Sequence, residues 1–385
     1  MTRMDNYQPC LAVSLTVVAM GIFLVATAGA ASEPDSTQAL VKTDLLRTRT
    51  TRINVYPYAF YTPETQLAFG VGGIATFYTA REFQLKPSKA TLSGYYTTND
   101  QYKISLGTAI FFARNRYLAT GDFSYGLFVD KFWGIGNETP DSENAPYTTK
   151  VGAIFLNLQA PPLIGSSNTR KIGVIFDFRN TDIANKKSNP FLLADAVTGS
   201  NGGLSSGLGV IMSIDTRDQI FFPNRGGLYE FQAIFYMKAT GSDFDFNRYT
   251  IDLRQYLRLG HPDRVLAMQL FADFAAGNTP FFELPALGGA EIMRGYFTGR
   301  YRDKNYLAGQ VELRSYFWGR LGGVAFAGLG EVGRRDKPMS LDTVKYSLGC
   351  GLRFKFNQEE KVNLRADFGW GKDTSGVYFG LEEAF

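Results

Sequence analysis

Cysteine and histidine are scarce: the 385 residues include two of the first and one of the second. That scarcity removes the ligand sets from which transition-metal centres are built. It also leaves His261 as the sole imidazole for any catalytic triad. Gly203-Leu204-Ser205-Ser206-Gly207 matches G-x-S-x-G in form. It ends a glycine-rich loop, however, and not the strand-to-helix turn that exposes a nucleophile, and in the strand order derived below His261 falls on the opposite side of the membrane. No enzymatic activity, no metal and no cofactor are expected. Asp141, Glu143, Asp243 and Asp245 read as solvated loop charge in preference to a calcium site. Charge of one sign is missing too. The net charge of +4 arises from 40 basic and 36 acidic residues spread along the chain, which argues against nucleic acid as a partner.

Long apolar runs are absent after the first 30 residues, so no later segment reads as a transmembrane helix. The one early run, Leu11 to Val25, follows Arg3 and ends at the small residues Ala28-Gly29-Ala30. It reads as a secretory signal, residues 1–30, cleaved before Ala31. Cys10 precedes the run, where no lipoprotein would carry its cysteine. Cleavage leaves Cys350 alone, so no intramolecular disulfide is expected in an oxidising compartment. Residues 31–50 read as a short periplasmic tail, below the roughly 50 residues an independent domain needs. Residues 51–385 form the remaining unit.

What is abundant is glycine, phenylalanine and tyrosine, at 41, 32 and 21 residues, arranged with period two. In Lys171 to Arg179, Ile172, Val174, Phe176 and Phe178 share one face, while Lys171, Gly173, Asp177 and Arg179 share the other, with Ile175 as the exception. Arg248 to Arg254, Gln310 to Phe317 and Val362 to Trp370 repeat the pattern. A soluble sandwich also alternates, but the signal, the aromatic richness and the terminal alternation Val377, Phe379, Leu381 and on to Phe385 point to an all-β transmembrane antiparallel barrel. Sixteen segments are predicted, from 52–60 to 376–385. Long connections follow strands five, seven, eleven and thirteen, and short ones follow even strands, as expected for extracellular loops and periplasmic turns. Phe385 is expected to close the last strand as a C-terminal barrel signal.

Leu287-Gly288-Gly289-Ala290-Glu291-Ile292-Met293-Arg294-Gly295-Tyr296 resembles the sixth extracellular loop of the BamA/TamA superfamily, with Met293, Arg294, Gly295 and Tyr296 matching its V/I/L-R-G-F/Y signature. The resemblance implies that this loop folds back into the lumen and that Arg294 pairs with carboxylates of the inner wall. Glu312 matches the family's glutamate. The family's second acid lies in F-x-D-x-G, which here reads Phe326-Ala327-Gly328-Leu329-Gly330, with Gly328 in the aspartate's place, so Asp367 is the candidate substitute. Asp215, Arg217 and Asp218, followed by Pro223 and Gly226, resemble the family's periplasmic hairpin D-x-R-D…P-x-x-G. Phe132 to Thr139 resembles the F/Y-G-I-G-N-x-T segment of its domainless members, and Tyr61 to Thr65 is a weaker echo of their first turn.

By resemblance, the chain is a barrel in the outer membrane of a Gram-negative-type bacterium. It would act in outer-membrane biogenesis, or in protein or lipid translocation or insertion, by a non-covalent mechanism. Expected partners are outer-membrane lipid and either the barrel assembly machinery or a separate periplasmic subunit. Assembly factors of the family carry POTRA domains ahead of the barrel, and the predicted tail has no room for one. The rival reading is a passive channel or structural barrel. The inward-facing charges Asp177, Arg179, Glu230, Arg248, Asp252, Arg254, Asp273, Arg314, Arg353 and Arg365 would set ion selectivity in the second case and pack against the inserted loop in the first.

Overall fold

A computed structural model describes residues 51–385 apart from 80–85, 142–145, 163–168, 187–188, 220–221, 262–263, 335, 338 and 358–361. The signal and tail expected at 1–50 lie outside the described residues. Sixteen strands form one antiparallel sheet in which each strand pairs with the next in sequence. They are β1 (Arg52–Thr62), β2 (Gln66–Phe77), β3 (Ser88–Thr97), β4 (Tyr102–Phe112), β5 (Tyr117–Lys131), β6 (Pro146–Ala160), β7 (Arg170–Asn185) and β8 (Gly202–Asp215). Then come β9 (Gly226–Tyr236), β10 (Phe246–Arg258), β11 (Arg264–Gly277), β12 (Asn305–Trp318), β13 (Leu321–Gly333), β14 (Lys345–Asn357), β15 (Val362–Gly371) and β16 (Thr374–Leu381). The sheet curls until β1 lies beside β16, but among the described residues no hydrogen-bonded ladder joins these two strands.

Exposure separates a membrane barrel from a sandwich. On β7, Val174 is 60% exposed whereas Asp177 is 8% exposed, so the apolar face looks outward and the polar face inward. Leu208, Val210, Val311, Leu313, Leu348 and Leu352 are likewise exposed large apolar side chains, a surface that only lipid satisfies. Ile175, the exception in the sequence pattern, is buried inside the barrel with Ile211, Ile234, Tyr236 and Phe246. The lumen therefore contains an apolar patch as well as charge.

At β1 the inward side chains are aromatic. A Cβ placed on Gly70 would come within 2.6 Å of the Tyr58 ring, and one on Gly72 within 3.2 Å of the Tyr56 ring. Glycine at these β2 positions lets the two rings lie flat across the neighbouring strand, replacing the packing that the missing side chains cannot supply.

The alternation of long and short connections is carried by four loops, those following β5, β7, β11 and β13. Elsewhere the long-loop end is closed by the connection at 237–245 and by tight turns at 63–65, 98–101 and 372–373, in or beside which Gln66, Asp100 and Asp373 take φ values of 57°, 55° and 58°. The connection after β7 is also shorter and more regular than a glycine-rich loop running to Gly207 would be. It contains α1 (Pro190–Leu193), and β8 begins at Gly202, so the G-x-S-x-G match lies within a strand.

Candidate functional site: a lumenal loop held by charged strands

The connection between β11 and β12 turns back into the barrel. A two-residue ladder, Ala286–Leu287 against Tyr301–Arg302, pinches it into a finger with residues 293–296 at the buried tip. Met293 takes a φ of 56° and Gly295 one of 109°. Gly295 packs so closely on β15 that a Cβ there would sit 2.8 Å from the Trp370 carbonyl carbon; no larger residue fits without displacing the tip.

Arg294 is completely buried. Its Nη1 donates to Asp367 Oδ2 at 2.7 Å, its Nη2 to Glu312 Oε2 at 2.5 Å, and its guanidinium lies 3.5 Å from the centre of the Phe326 ring. A guanidinium out of water requires such pairing, because an uncompensated buried charge costs several kcal/mol. The carboxylates are shared further. Arg314 Nε donates to Glu312 Oε1 at 2.7 Å, and Arg353 Nη1 donates to Asp367 Oδ1 at 2.5 Å. Arg353 Nε donates to Glu383 Oε2 at 2.8 Å, and Arg365 Nη1 reaches both Asp367 Oδ2 and the loop carbonyl of Ala290. Four arginines and three carboxylates thus form one continuous network. Glu383 was not legible as a member from sequence.

Gly328 does not leave a hole where the family's aspartate would stand. The Met293 thioether fills the space, with Sδ 3.5 Å from a Cβ built on Gly328 and 3.1 Å from one built on Gly330. Asp367, reached from β15, occupies the second carboxylate position on Arg294. The tip backbone is also fastened. Ser347 Oγ donates to Arg294 O, Gly295 N donates to the Tyr378 hydroxyl at 3.0 Å, and Thr374 Oγ1 donates to Gly295 O at 3.0 Å. Tyr296 accepts the Lys372 backbone N–H at 2.7 Å through its hydroxyl, and burial pushes its phenol up to about 12.

A second anchor has the opposite polarity. Glu283, on the descending limb of the same loop, is 2% exposed and lies 3.5 Å from both Arg179 and Arg248. Arg248 also forms a 2.6 Å ion pair with Asp273, and the Tyr236 hydroxyl donates to Asp177. Burial holds the Glu283 carboxyl above its ordinary range, outweighing Arg179 and Arg248. The loop therefore spans the lumen, tied to β7 and β10 at one side and to β12 and β15 at the other. The Phe132 to Thr139 segment buttresses its outer end: Gly136 N donates to Arg302 O, Arg302 Nη2 donates to Asp130 Oδ2, and Arg300 Nη1 donates to Thr139 Oγ1.

The remaining predicted positions lie at the short-turn end. Arg217 Nε donates to Asp215 Oδ1 at 3.0 Å, and Asp218 Oδ1 accepts the Asn224 and Arg225 backbone N–H groups. Pro223 is buried, and Gly226 takes a φ of 85° where the hairpin enters β9. Phe385 differs from its expected place. β16 ends at Leu381, Glu382 takes a φ of 65°, and the chain turns into the lumen. There Phe385 packs with Phe222, Tyr256, Val265 and Ala267, and its carbonyl accepts from Arg314 Nη2 at 2.9 Å. Capture of Glu383 by Arg353 and by Asn363 Nδ2 at 2.6 Å supplies the cause.

The Omp85 superfamily domain matches residues 75–385. No curated protein sequence matches the chain. Among solved structures, BamA from Haemophilus ducreyi lacking POTRA domains 1-3 superposes with a TM-score of 0.58 at 14% identity, covering 90% of this chain and 78% of that one. CdiB from Acinetobacter baumannii gives a TM-score of 0.55 at 13% identity, covering 88% of this chain and 66% of that one. At such identities the structural likeness is one of fold. The domain match extends over most of the chain, including the finger and all its anchors, and this chain therefore belongs to the Omp85 superfamily.

Proposed function

We propose that this protein is a Gram-negative outer-membrane barrel that inserts or translocates protein or lipid without covalent chemistry, by sideways opening between β1 and β16. The observation that carries the reading is the missing ladder between these neighbouring strands, set beside a buried Arg294 that holds an inserted loop across the lumen. A barrel joined, among the described residues, at fifteen interfaces by hydrogen-bonded ladders and at one only by contact has a built-in place to part. In this reading Arg294, with Glu312 and Asp367, is the lock that keeps the remaining wall in shape, and the hairpin around Asp215 and Arg217 faces the periplasm, where a client or an assembly partner would approach. The test is deletion followed by quantitation of the outer-membrane proteome and surface lipid. Reduced abundance of barrel proteins or surface lipid supports the reading, and unchanged abundance of both removes it.

A second reading, a passive channel, has one observation in its favour: Asp122 faces inward on β5 yet is exposed, so water reaches that wall. Large, steady, ion-selective conductance in planar bilayers would favour it, and small flickering openings the plugged barrel.

A further inference from the structure

The finger touches both sides of the open joint. On one side, Thr298 N donates to Glu64 Oε1 at 2.6 Å, and Thr298 Oγ1 donates to the same oxygen at 3.1 Å. Glu64 lies in the turn between β1 and β2. That turn is itself braced, since Gln101 Nε2 donates to Glu64 O at 2.9 Å and Thr65 N donates to Thr62 Oγ1 at 3.1 Å. On the other side, the Tyr378 hydroxyl of β16 accepts from Gly295 N and donates to Tyr296 O at 3.2 Å, while Thr374, the first residue of β16, donates to Gly295 O.

We propose that residues 295–298 act as a clasp across the joint, holding the long-loop ends of β1 and β16 together in place of the ladder they lack. The inference rests on the reading of that joint as the place where the barrel opens. Its physical basis is the difference in strength of the two grips. The Tyr378 bonds are buried, where a lost partner leaves an unsatisfied N–H. The Glu64 bonds are charge-assisted but solvent-exposed, so the clasp releases first on the β1 side. β1 is then free to swing while β16 stays with the finger. The turn at Tyr61 to Thr65 acquires a role here that its sequence alone did not disclose.

The test uses the signal-free barrel in detergent and in liposomes, with Cys350 replaced by serine and nitroxide labels on cysteines introduced at Tyr61 and Lys372. Dipolar EPR then reports the separation of the two strand ends. The parent should show a dominant short-distance population with a minor separated one. Glu64→Ala, an exposed-turn substitution that leaves the lumen intact, should raise the separated population by at least about five-fold, the factor for one net hydrogen bond, since both bonds from Thr298 are lost. Glu64→Gln keeps the accepting oxygen and should stay near the parent. Tyr378→Phe weakens the stronger grip, where Thr374 still holds Gly295 O, and should raise the separated population by a smaller factor. Parent-like distances in both Glu64→Ala and Tyr378→Phe would overturn the clasp. Because the distances are read on purified protein, a deletion strain with an unchanged outer membrane would remove the assembly reading and leave the clasp standing. Unchanged distances beside an altered proteome would remove the clasp alone.

Discussion

Arg294 and Glu312 meet at 2.5 Å with neither side chain exposed, and Glu312 is at the same time the acceptor for Arg314. The bond between loop and wall is therefore also a bond within the wall. Arg294→Ala should lower barrel stability by roughly 3–5 kcal/mol, the cost of leaving Glu312 and Asp367 short of a partner. Glu312→Gln, which keeps the shape and one acceptor, should cost roughly 1–2 kcal/mol. The temperature at which the folded gel mobility is lost in detergent measures both, and identical transitions in both variants and the parent would rule out a lock.

Met293 stands where a carboxylate at position 328 would reach. Gly328→Asp should therefore destabilise the barrel by about 1–3 kcal/mol through overpacking, although it restores the residue found in relatives' motifs. Met293→Val in the same chain should recover much of the loss. Additive effects of the two substitutions in thermal melts would show that the positions are not in contact.

Glu283 provides a pH signature. Its folded-state carboxyl is raised by burial, so protonation favours the anchored limb. The stabilisation is fully present below the unfolded pKa of about 4.3 and is lost as pH rises through the folded value. Amide exchange at Phe281 to Leu284, corrected for its intrinsic pH dependence, should quicken across that window. Glu283→Gln should abolish the change, and a pH response that survives the substitution would assign it to another group.

Phe385 is 6% exposed inside the barrel, whereas Phe379 on β16 is 38% exposed on the outer face. Phe385→Ala should cost about 3–5 kcal/mol, as for buried phenylalanine elsewhere, and Phe379→Ala distinctly less. Urea unfolding from lipid vesicles decides the order, and a larger loss for Phe379→Ala would place the aromatic signal on the lipid side.

Strand number, direction and facing were legible because they are local: alternation such as Ile172, Val174, Phe176 against Lys171, Asp177, Arg179 fixes a face wherever it occurs. What was not legible depends on partners far apart in sequence. The alternation ending in Val377, Phe379 and Leu381 continues formally to Phe385, and it is Arg314, Arg353 and Asn363, on other strands, that turn the chain inward at Glu382. Glu283 reads as one more loop acid until folding brings Arg179 and Arg248 beside it. Tyr378 was the nearest to discoverable: it is the polar-tipped residue between the outward Val377 and Phe379, at the position where an inward hydroxyl would fall.

The tyrosines of β1 rest on glycines of β2, Tyr58 opposite Gly70 and Tyr56 opposite Gly72. Ordinary strand pairs interlock through side chains, and a slip must lift one over another. On the inner face a slip of two residues would bring Tyr56 onto Gly70 and Tyr58 onto Ala68, with nothing larger than a methyl group beneath either ring, so register is held instead from the outer face, where Pro57 and Ala59 stand opposite Val71 and Phe69, and by the tight turn at 63–65. The strand beside the open joint is thus seated like a drawer with one smooth runner, kept in place from its lipid side and from its hinged end.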